Sequence, residues 1–267
     1  MDFEKDYFFH IANVSKNKGK TTTRKHYHEL FEIYYLTHGS CRYFIDNKAY
    51  QLLPGDVILI PENTIHNSEY DNTIHSRLLI NCSKKFVPDS IRPIITPDFY
   101  LYRNKKTAEE IRLIFEKIKY ECEKKDNLSE EVLISCTHML FFIIARNLDT
   151  CETASSENEY IMQAVDYLKE NFTSKISLNE IAKMCCISVE HFCRTFKKET
   201  GFSFNEYLNL LRLQKAENIL SQSSDITVSQ LSALCGFSDS NYFSHKFKAM
   251  YGISPKKMQI LKRKRSV

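Results

Sequence analysis

The sequence predicts an α+β protein with a strand-rich N-terminal barrel, helices that follow it, and an all-helical C-terminal region. Three observations lead to this fold class. Runs of alternating apolar and polar residues, separated by turn signals, extend to about residue 83. Between residues 105 and 148, apolar residues recur at helical spacing. From residue 160 onward one helical unit occurs twice, which predicts two helix-turn-helix motifs.

The N-terminal region, which we take as residues 1–100, reads as a series of short strands. Residues 31–35 alternate between two faces, with Phe, Ile and Tyr against Glu and Tyr. Segments 42–45 and 50–53 flank an Asp-Asn turn signal, and segment 57–60 follows a Pro-Gly turn. Short strands at this spacing indicate an antiparallel barrel or sandwich.

Two helices are predicted between residues 105 and 148. The first has a single apolar stripe, and the second, from about Ser129 to Leu148, is apolar nearly all round. One face of the second helix can pack on the first, and its other face needs a second cover. Burial within the domain and pairing of two protomers would both supply it, and we expect a dimerisation segment. Residues 149–159 are polar and aperiodic, as in a linker.

The composition excludes a membrane protein and a disulfide framework. The most apolar run, residues 139–145, is far shorter than the roughly 20 residues of a membrane-spanning helix. The first ten residues lack the basic start of a signal peptide. Nine cysteines form no C-x-x-C pair, as expected where thiols stay reduced. We therefore expect a cytoplasmic protein.

The C-terminal region, residues 160–262, contains an internal repeat with two helix-turn-helix motifs at about 178–201 and 228–252. The segment EIAKMCCIS, from Glu180, matches QLSALCGFS, from Gln230, at an offset of 50 residues. After the shared serine the offset becomes 51, which indicates one inserted residue in the turn. A helix over about 204–221 joins the copies. At ~1.5 Å per residue it spans about 25 Å, so it can hold two recognition helices about one DNA turn apart.

Each second helix has a buried face and a polar face. Two phenylalanines four residues apart share the buried face in each copy. We expect Ser188 and Ser238 to cap these helices, and Gly201 and Gly252 to end them. The polar faces carry hydrogen-bonding side chains, namely Glu190, His191, Arg194 and Lys197 in the first copy and Ser240, Asn241, Ser244, His245 and Lys248 in the second.

Charge favours DNA as the partner of these polar faces. From Glu157 onward, 16 basic and 11 acidic residues give a net charge of +5, whereas the preceding part has −1. Lysine and arginine contact phosphates, and asparagine, arginine and histidine read base edges. A helical bundle with a purely structural repeat is the alternative, but it leaves both exposed polar faces unexplained.

Residues 160–260 resemble the AraC/XylS family of bacterial transcription regulators. The resemblance lies in EIAKMCCISVEHFCRTFKKETGFSFNEYLNLLRLQKAENIL and LSALCGFSDSNYFSHKFKAMYGISPKKM. It implies a sequence-specific regulator that binds double-stranded DNA, with Cys193 joining the predicted contacts of the first recognition helix. As further partners we expect a second copy of the chain, paired through the central helices, and RNA polymerase. Two departures are Cys186, where the family often has glycine, and Met258-Gln259, where an aromatic-arginine pair is usual.

The strand-rich region also resembles the two cupin motifs. The first is His26-x-His28-x3-Glu32 with a following Gly39, and the second is Gly55-x5-Pro61-x4-His66, with Asn63 in place of a usual glycine. The region is therefore expected to be a cupin-like effector-sensing barrel. His26, His28, Glu32 and His66 also form a plausible donor set for a divalent transition metal.

Three functions are open for the barrel. AraC-like sensors hold a small effector, so the same four residues can hydrogen-bond a small polar molecule such as a carbohydrate without any required cofactor. Aromatic side chains would then stack on it, namely Tyr27, Tyr34, Tyr43 and Phe44. A metal-dependent enzyme fused to a DNA-binding domain and a ligand-independent structural barrel are the alternatives. We expect an effector pocket and no catalysis.

Overall fold

In a computed structural model the chain folds into two compact units that divide at about residue 155. The structure describes residues 9–16, 21–22, 27–45, 48–70, 74–95, 100–148, 158–222 and 225–263. His26, the Asp46-Asn47 turn and residues 149–157 of the predicted linker lie outside the described residues.

The first unit contains two sheets. Their strands are β1 (Phe9–Lys16), β2 (Thr21–Thr22), β3 (Phe31–His38), β4 (Cys41–Ile45), β5 (Lys48–Leu52), β6 (Val57–Ile60), β7 (His66–Tyr70), β8 (His75–Cys82) and β9 (Tyr100–Tyr102). One sheet has the order β1-β8-β3-β6-β9 and the other β2-β7-β4-β5. Neighbouring strands of the five-stranded sheet are antiparallel. Strands β3 to β6 match the expected segments. The short strand β9 ends at Tyr102, two residues beyond the expected boundary at residue 100, which stays a prediction.

The two sheets face each other across an apolar interior. One cluster of buried side chains draws Tyr34 from β3, Tyr43 from β4, Ile58 from β6 and Tyr70 from β7, so both sheets contribute to it. The intervening residues of β3 point the other way and belong to a second cluster. Strand β3 is therefore buried on both faces, which positions its inward side chains deep in the interior.

Helices cover the outer face of the five-stranded sheet. They are α1 (Arg92–Ile95), α2 (Ala108–Lys124) and α3 (Ser129–Ala145). Ile33 and Ile80 of the sheet share a cluster with Phe115 of α2 and Phe141 of α3. The sheet thus supplies the second cover that α3 needs. The expected dimer interface stays a prediction.

The second unit is all-helical. It comprises α4 (Glu159–Asn171), α5 (Leu178–Met184), α6 (Val189–Thr200), α7 (Phe204–Gln222), α8 (Val228–Leu234), α9 (Ser240–Tyr251) and α10 (Pro255–Arg263). Helices α5 and α8 are related by 50 residues, and α6 and α9 by 51, as the repeat predicts. No helix of the described chain is long and apolar enough to span a membrane.

The cap of one recognition helix differs from the expectation. Ser188 caps α6 by accepting a hydrogen bond from the His191 backbone N–H at 3.2 Å. The prediction that Ser238 caps α9 is wrong. Asp239 caps this helix instead, because its side chain accepts hydrogen bonds from the backbone N–H groups of Asn241 and Tyr242 at 2.7 and 2.8 Å. The inserted residue precedes the cap, so the cap already follows the 51-residue offset.

Candidate functional site

The buried faces of α6 and α9 fix which side chains each helix exposes. Phe192 and Phe196 of α6 are fully buried with ring centroids 5.3 Å apart. Phe243 and Phe247 of α9 are likewise buried, at 5.6 Å. Side chains on the other faces of both helices are therefore held outward by a rigid aromatic core.

All ten predicted DNA contacts lie on these outer faces. Six are exposed, namely Glu190, Arg194, Lys197, Asn241, His245 and Lys248. The other four are half-buried, namely His191, Cys193, Ser240 and Ser244. The structure brings them to the surface as two matched sets, one on each recognition helix. Contact with DNA by individual residues stays a prediction.

The turn between helices has a left-handed residue in both copies. Gly236 has φ +85°, and Cys186 at the equivalent position of the first copy has φ +56°. The cysteine thus adopts the conformation that the resemblance assigns to glycine, at a steric cost of about 1–2 kcal/mol. The turn is therefore left-handed at this position in both copies, although the first copy has a cysteine there.

The second departure from the family pattern is absorbed by packing. Met258 is buried in the cluster around α9, where the family usually has an aromatic residue. Gln259 donates from Nε2 to the Ile226 carbonyl at 2.9 Å and so ties α10 to the segment before α8. Arg212 of α7 serves a similar purpose, because it donates to the carbonyls of Phe172 and Ser174 at 2.7 and 2.9 Å.

The first unit brings the cupin-motif residues together around Glu32. The Tyr43 hydroxyl donates to Glu32 Oε1 at 3.0 Å, and His28 Nε2 lies 3.2 Å from Oε2. His28 Nδ1 donates to the Leu30 carbonyl at 2.8 Å. Burial lowers the pKa of His28, but the hydrogen bond and negative charge of Glu32 outweigh it, so the pKa is raised overall.

His66 reaches the same place from the second motif. Its Nδ1 donates to the Thr64 carbonyl at 2.8 Å, which leaves the lone pair of a neutral imidazole on Nε2. The ring centroids of His28 and His66 are 5.0 Å apart. The Asn63 backbone N–H donates to the His28 carbonyl at 2.7 Å and thereby joins the two motif loops. Asn63 has φ +63°, a conformation that asparagine tolerates better than most residues in place of glycine.

The donor atoms suit a metal in kind. Ligating atoms of His28, Glu32 and His66 all lie within 4.8 Å of one another. Two imidazoles and a carboxylate are ligands of several divalent transition metals. The fourth predicted donor, His26, is outside the described residues. Within the described part, the Glu32 carboxylate is already held by Tyr43 and His28, so binding a metal would exchange hydrogen bonds for coordination.

Of the four aromatic residues predicted to stack on an effector, three are buried in the sheet domain and the fourth faces away from its interior. The rings of Tyr34 and Tyr43 are 4.9 Å apart in the interior. Tyr27 is also buried. The prediction that Phe44 stacks on an effector is wrong. Its neighbours on β4, Tyr43 and Ile45, belong to the interior cluster, so strand alternation turns Phe44 to the opposite face of the sheet. There it lies under the Arg42 guanidinium.

Several polar interior residues were missed from the sequence. The hydroxyl groups of Tyr34 and Tyr70 lie 3.0 Å apart, and Ser68 donates to Tyr70 at 3.2 Å. The His75 ring stacks on Tyr70 at 3.8 Å, and the Arg77 guanidinium lies 4.8 Å from the same ring. The alternation His66-x-Ser68-x-Tyr70 on β7 was the available signal.

Together, a sheet domain with a buried polar cluster and a duplicated helix-turn-helix unit define a sensor-controlled DNA-binding regulator. A family model for an AraC-like ligand binding domain matches residues 15–139, and one for a helix-turn-helix domain matches residues 181–259. The chain thus combines an AraC-like ligand binding domain with a helix-turn-helix domain, as its resemblance to the AraC/XylS family predicts. Its architecture agrees with both models.

Relatives match along most of the chain. The HTH-type transcriptional activator RhaS of Mannheimia succiniciproducens is 29% identical over 243 residues, covering 88% of this chain and 89% of the relative. The activator RhaR of Pectobacterium carotovorum is 24% identical over 94% and 92%. The solved structure of ToxT from Vibrio cholerae aligns with 96% of this chain and 99% of its own, at 13% identity and a TM-score of 0.41.

Proposed function

We propose that the barrel binds a small polar effector, such as a carbohydrate, and that this binding controls how the helix-turn-helix unit holds its operator. The observation that carries the proposal is the polar cluster of Glu32, His28, His66 and Tyr43 in the interior of the sheet domain. Carboxylate, imidazole and phenol groups provide both donors and acceptors for hydroxyl groups, and tyrosine rings can stack on a sugar face.

At the DNA, each recognition helix is proposed to enter one major groove. Arg194 and Asn241 are the proposed base readers, because their planar groups can make paired hydrogen bonds to guanine and adenine edges. Lys197 and Lys248 are the proposed phosphate contacts. Both pairs are exposed on the faces opposite the phenylalanine core.

The proposed assembly is a cytoplasmic homodimer that contacts RNA polymerase. Exposed apolar residues of α2 and α3 support the dimer, namely Leu113, Tyr120, Met139 and Phe142. Met139→Glu should convert a dimer into monomers in sedimentation analysis. The matched control is Leu53→Glu, since Leu53 on the sheet domain is 54% exposed and Met139 is 50% exposed. Equal sedimentation of both variants with the parent would contradict this interface. The activator names of the relatives support contact with polymerase.

A divalent metal is the second candidate for the barrel, favoured by the convergence of His28, Glu32 and His66. A bound metal would polarise a substrate or activate a water molecule, and an enzyme would need an open coordination position. We propose that the chain is not an enzyme. Metal analysis of purified protein tests this, with His66→Ala as the comparison. A stoichiometric, non-exchanging metal lost in that variant would support the enzyme instead.

The test of the effector proposal uses melting temperature and operator affinity together. A compound that binds the native barrel raises the melting temperature according to its concentration relative to Kd. It should also change the operator affinity. Tyr43→Phe removes the hydroxyl that holds Glu32 and should weaken both responses, whereas Tyr120→Phe on exposed α2 should not. Equal responses in both variants would place the effector elsewhere.

A further inference from the structure

Arg77 is a buried cation inside the sheet domain. Its side chain is 6% exposed. On β8, Leu78 and Ile80 belong to the outer cluster beneath the helices, and Leu79 packs on the interior cluster. Strand alternation therefore places Arg77 with Leu79, facing the interior. The contact with the Tyr70 ring at 4.8 Å agrees with that direction.

The guanidinium of Arg77 has no counter-charge in the described part of the chain. Its Nη1 atom is buried and donates no hydrogen bond there. Arg103 shows the contrast, because it holds Asp56 through two hydrogen bonds at 2.8 and 2.7 Å. Along the ladder Arg77 pairs with Leu36 and Glu32 with Asn81, so the backbones of Arg77 and Glu32 are four residues apart, about 13 Å at ~3.3 Å per residue.

The groups around Arg77 are neutral. Burial raises the pKa of the Tyr70 and Tyr34 hydroxyls, and it raises the pKa of the Cys41 thiol to about 12. None of them is ionised at physiological pH. The stacked His75 ring supplies no negative charge either. A buried guanidinium is costly unless an anion and hydrogen bonds complete it, and a ring face compensates only in part.

We propose that the effector carries a carboxylate, which binds Arg77, while its hydroxyl groups meet the hydroxyls of Tyr70 and Tyr34, which lie between Arg77 and the Glu32 cluster. The chemical class is a small hydroxylated carboxylic acid, such as a sugar acid, rather than a neutral sugar. Arginine and carboxylate match in geometry through two parallel hydrogen bonds. This inference rests on the proposed effector function of the barrel.

The experiment compares acids with their neutral partners on the full chain. Melting temperature is measured with sodium galacturonate against galactose and sodium gluconate against glucose, with sodium chloride matching the ionic strength. An acid should raise the melting temperature at a concentration where its neutral partner does not. Stabilisation by the neutral sugars alone would overturn the proposal that the effector carries a carboxylate, but it would support the proposal that the barrel binds an effector. If none of the four compounds raises the melting temperature, the result counts against both the carboxylate proposal and the proposed effector function.

Two variants separate a ligand role from a structural role. Arg77→Met should raise the half-maximal concentration of the acid at least tenfold and leave the melting temperature without ligand unchanged or higher, because it removes an unpaired buried charge. Arg42→Met is the matched control, since Arg42 also lies over an aromatic ring, at 5.0 Å from Phe44, but on the opposite face of its sheet. A melting temperature of ligand-free Arg77→Met below that of Arg42→Met would overturn the proposal, as would an unchanged acid response.

Discussion

Replacing Gly236 with alanine should destabilise the C-terminal unit, because two separate penalties act at this turn. Its φ of +85° costs an L-residue about 1–2 kcal/mol. A Cβ there would lie 2.6 Å from the Thr173 carbonyl oxygen and 2.8 Å from two further Thr173 backbone atoms. Relieving backbone overlap costs about 1–3 kcal/mol. Lower entropy of the unfolded alanine chain offsets about 0.4–1 kcal/mol. The expected net loss is roughly 2–3 kcal/mol.

Gly252 separates the two penalties. It has φ +77°, but nothing lies within 4 Å of an added Cβ. Gly252→Ala should therefore cost only the conformational part, about 1 kcal/mol or less. Cys186→Gly should have the opposite effect. It removes the steric cost of a left-handed backbone at an exposed cysteine, so it should stabilise the unit by about 0.5–1 kcal/mol.

Urea unfolding followed by the helical circular dichroism signal measures these differences, which suits a chain that contains no tryptophan. The expected order of stability is Cys186→Gly, parent, Gly252→Ala and Gly236→Ala. Equal losses at Gly236 and Gly252 would refute the close approach to Thr173. Destabilisation by Cys186→Gly would refute the left-handed turn in the first motif.

Three further predictions follow from the described contacts. Asp239→Ala should lower the free energy of unfolding in urea by about 1 kcal/mol because α9 loses its cap, whereas Ser238→Ala should be nearly neutral. The reverse order would show that Ser238 is the cap. Lys248→Ala should weaken binding to operator and to non-operator DNA by the same factor, and it should reduce the slope of log K against log salt concentration by about 1, as measured by fluorescence anisotropy. An unchanged slope would show that Lys248 does not contact a phosphate. Asp56→Ala should cost about 2–3 kcal/mol in thermal unfolding, because it removes the carboxylate that pairs with Arg103 and that accepts from the Leu53 N–H.

The fold was readable where sequence periodicity matched a single buried face. The helix-turn-helix copies are amphipathic, so their bounds and the shift in offset at the turn emerged from the sequence. Strand β8 was harder, because its residues are buried on both faces and show no clean alternation. The cap at Asp239 was missed because the sequence alone does not say on which side of Ser238 the extra residue lies.

The site was partly readable for a similar reason. Glu32, His28 and His66 were found because motif spacing marks them. Arg77 and Tyr70 lack such spacing, and charged or hydroxylated residues are normally assigned to the surface. The packing of the neighbouring β8 residues shows that Arg77 faces inward, and the register of β3 against β8 places it four residues along the ladder from Glu32.

The most direct test of the account is the base preference of each recognition helix. Bound DNA is selected from a random library with the parent, Arg194→Ala and Asn241→Ala, while circular dichroism confirms that the variants remain folded. The account predicts that each variant loses preference at its own few base pairs, and that the two sets lie about 10 base pairs apart, one DNA turn. Loss at the same positions, or unchanged preference in both variants, would contradict reading by two recognition helices.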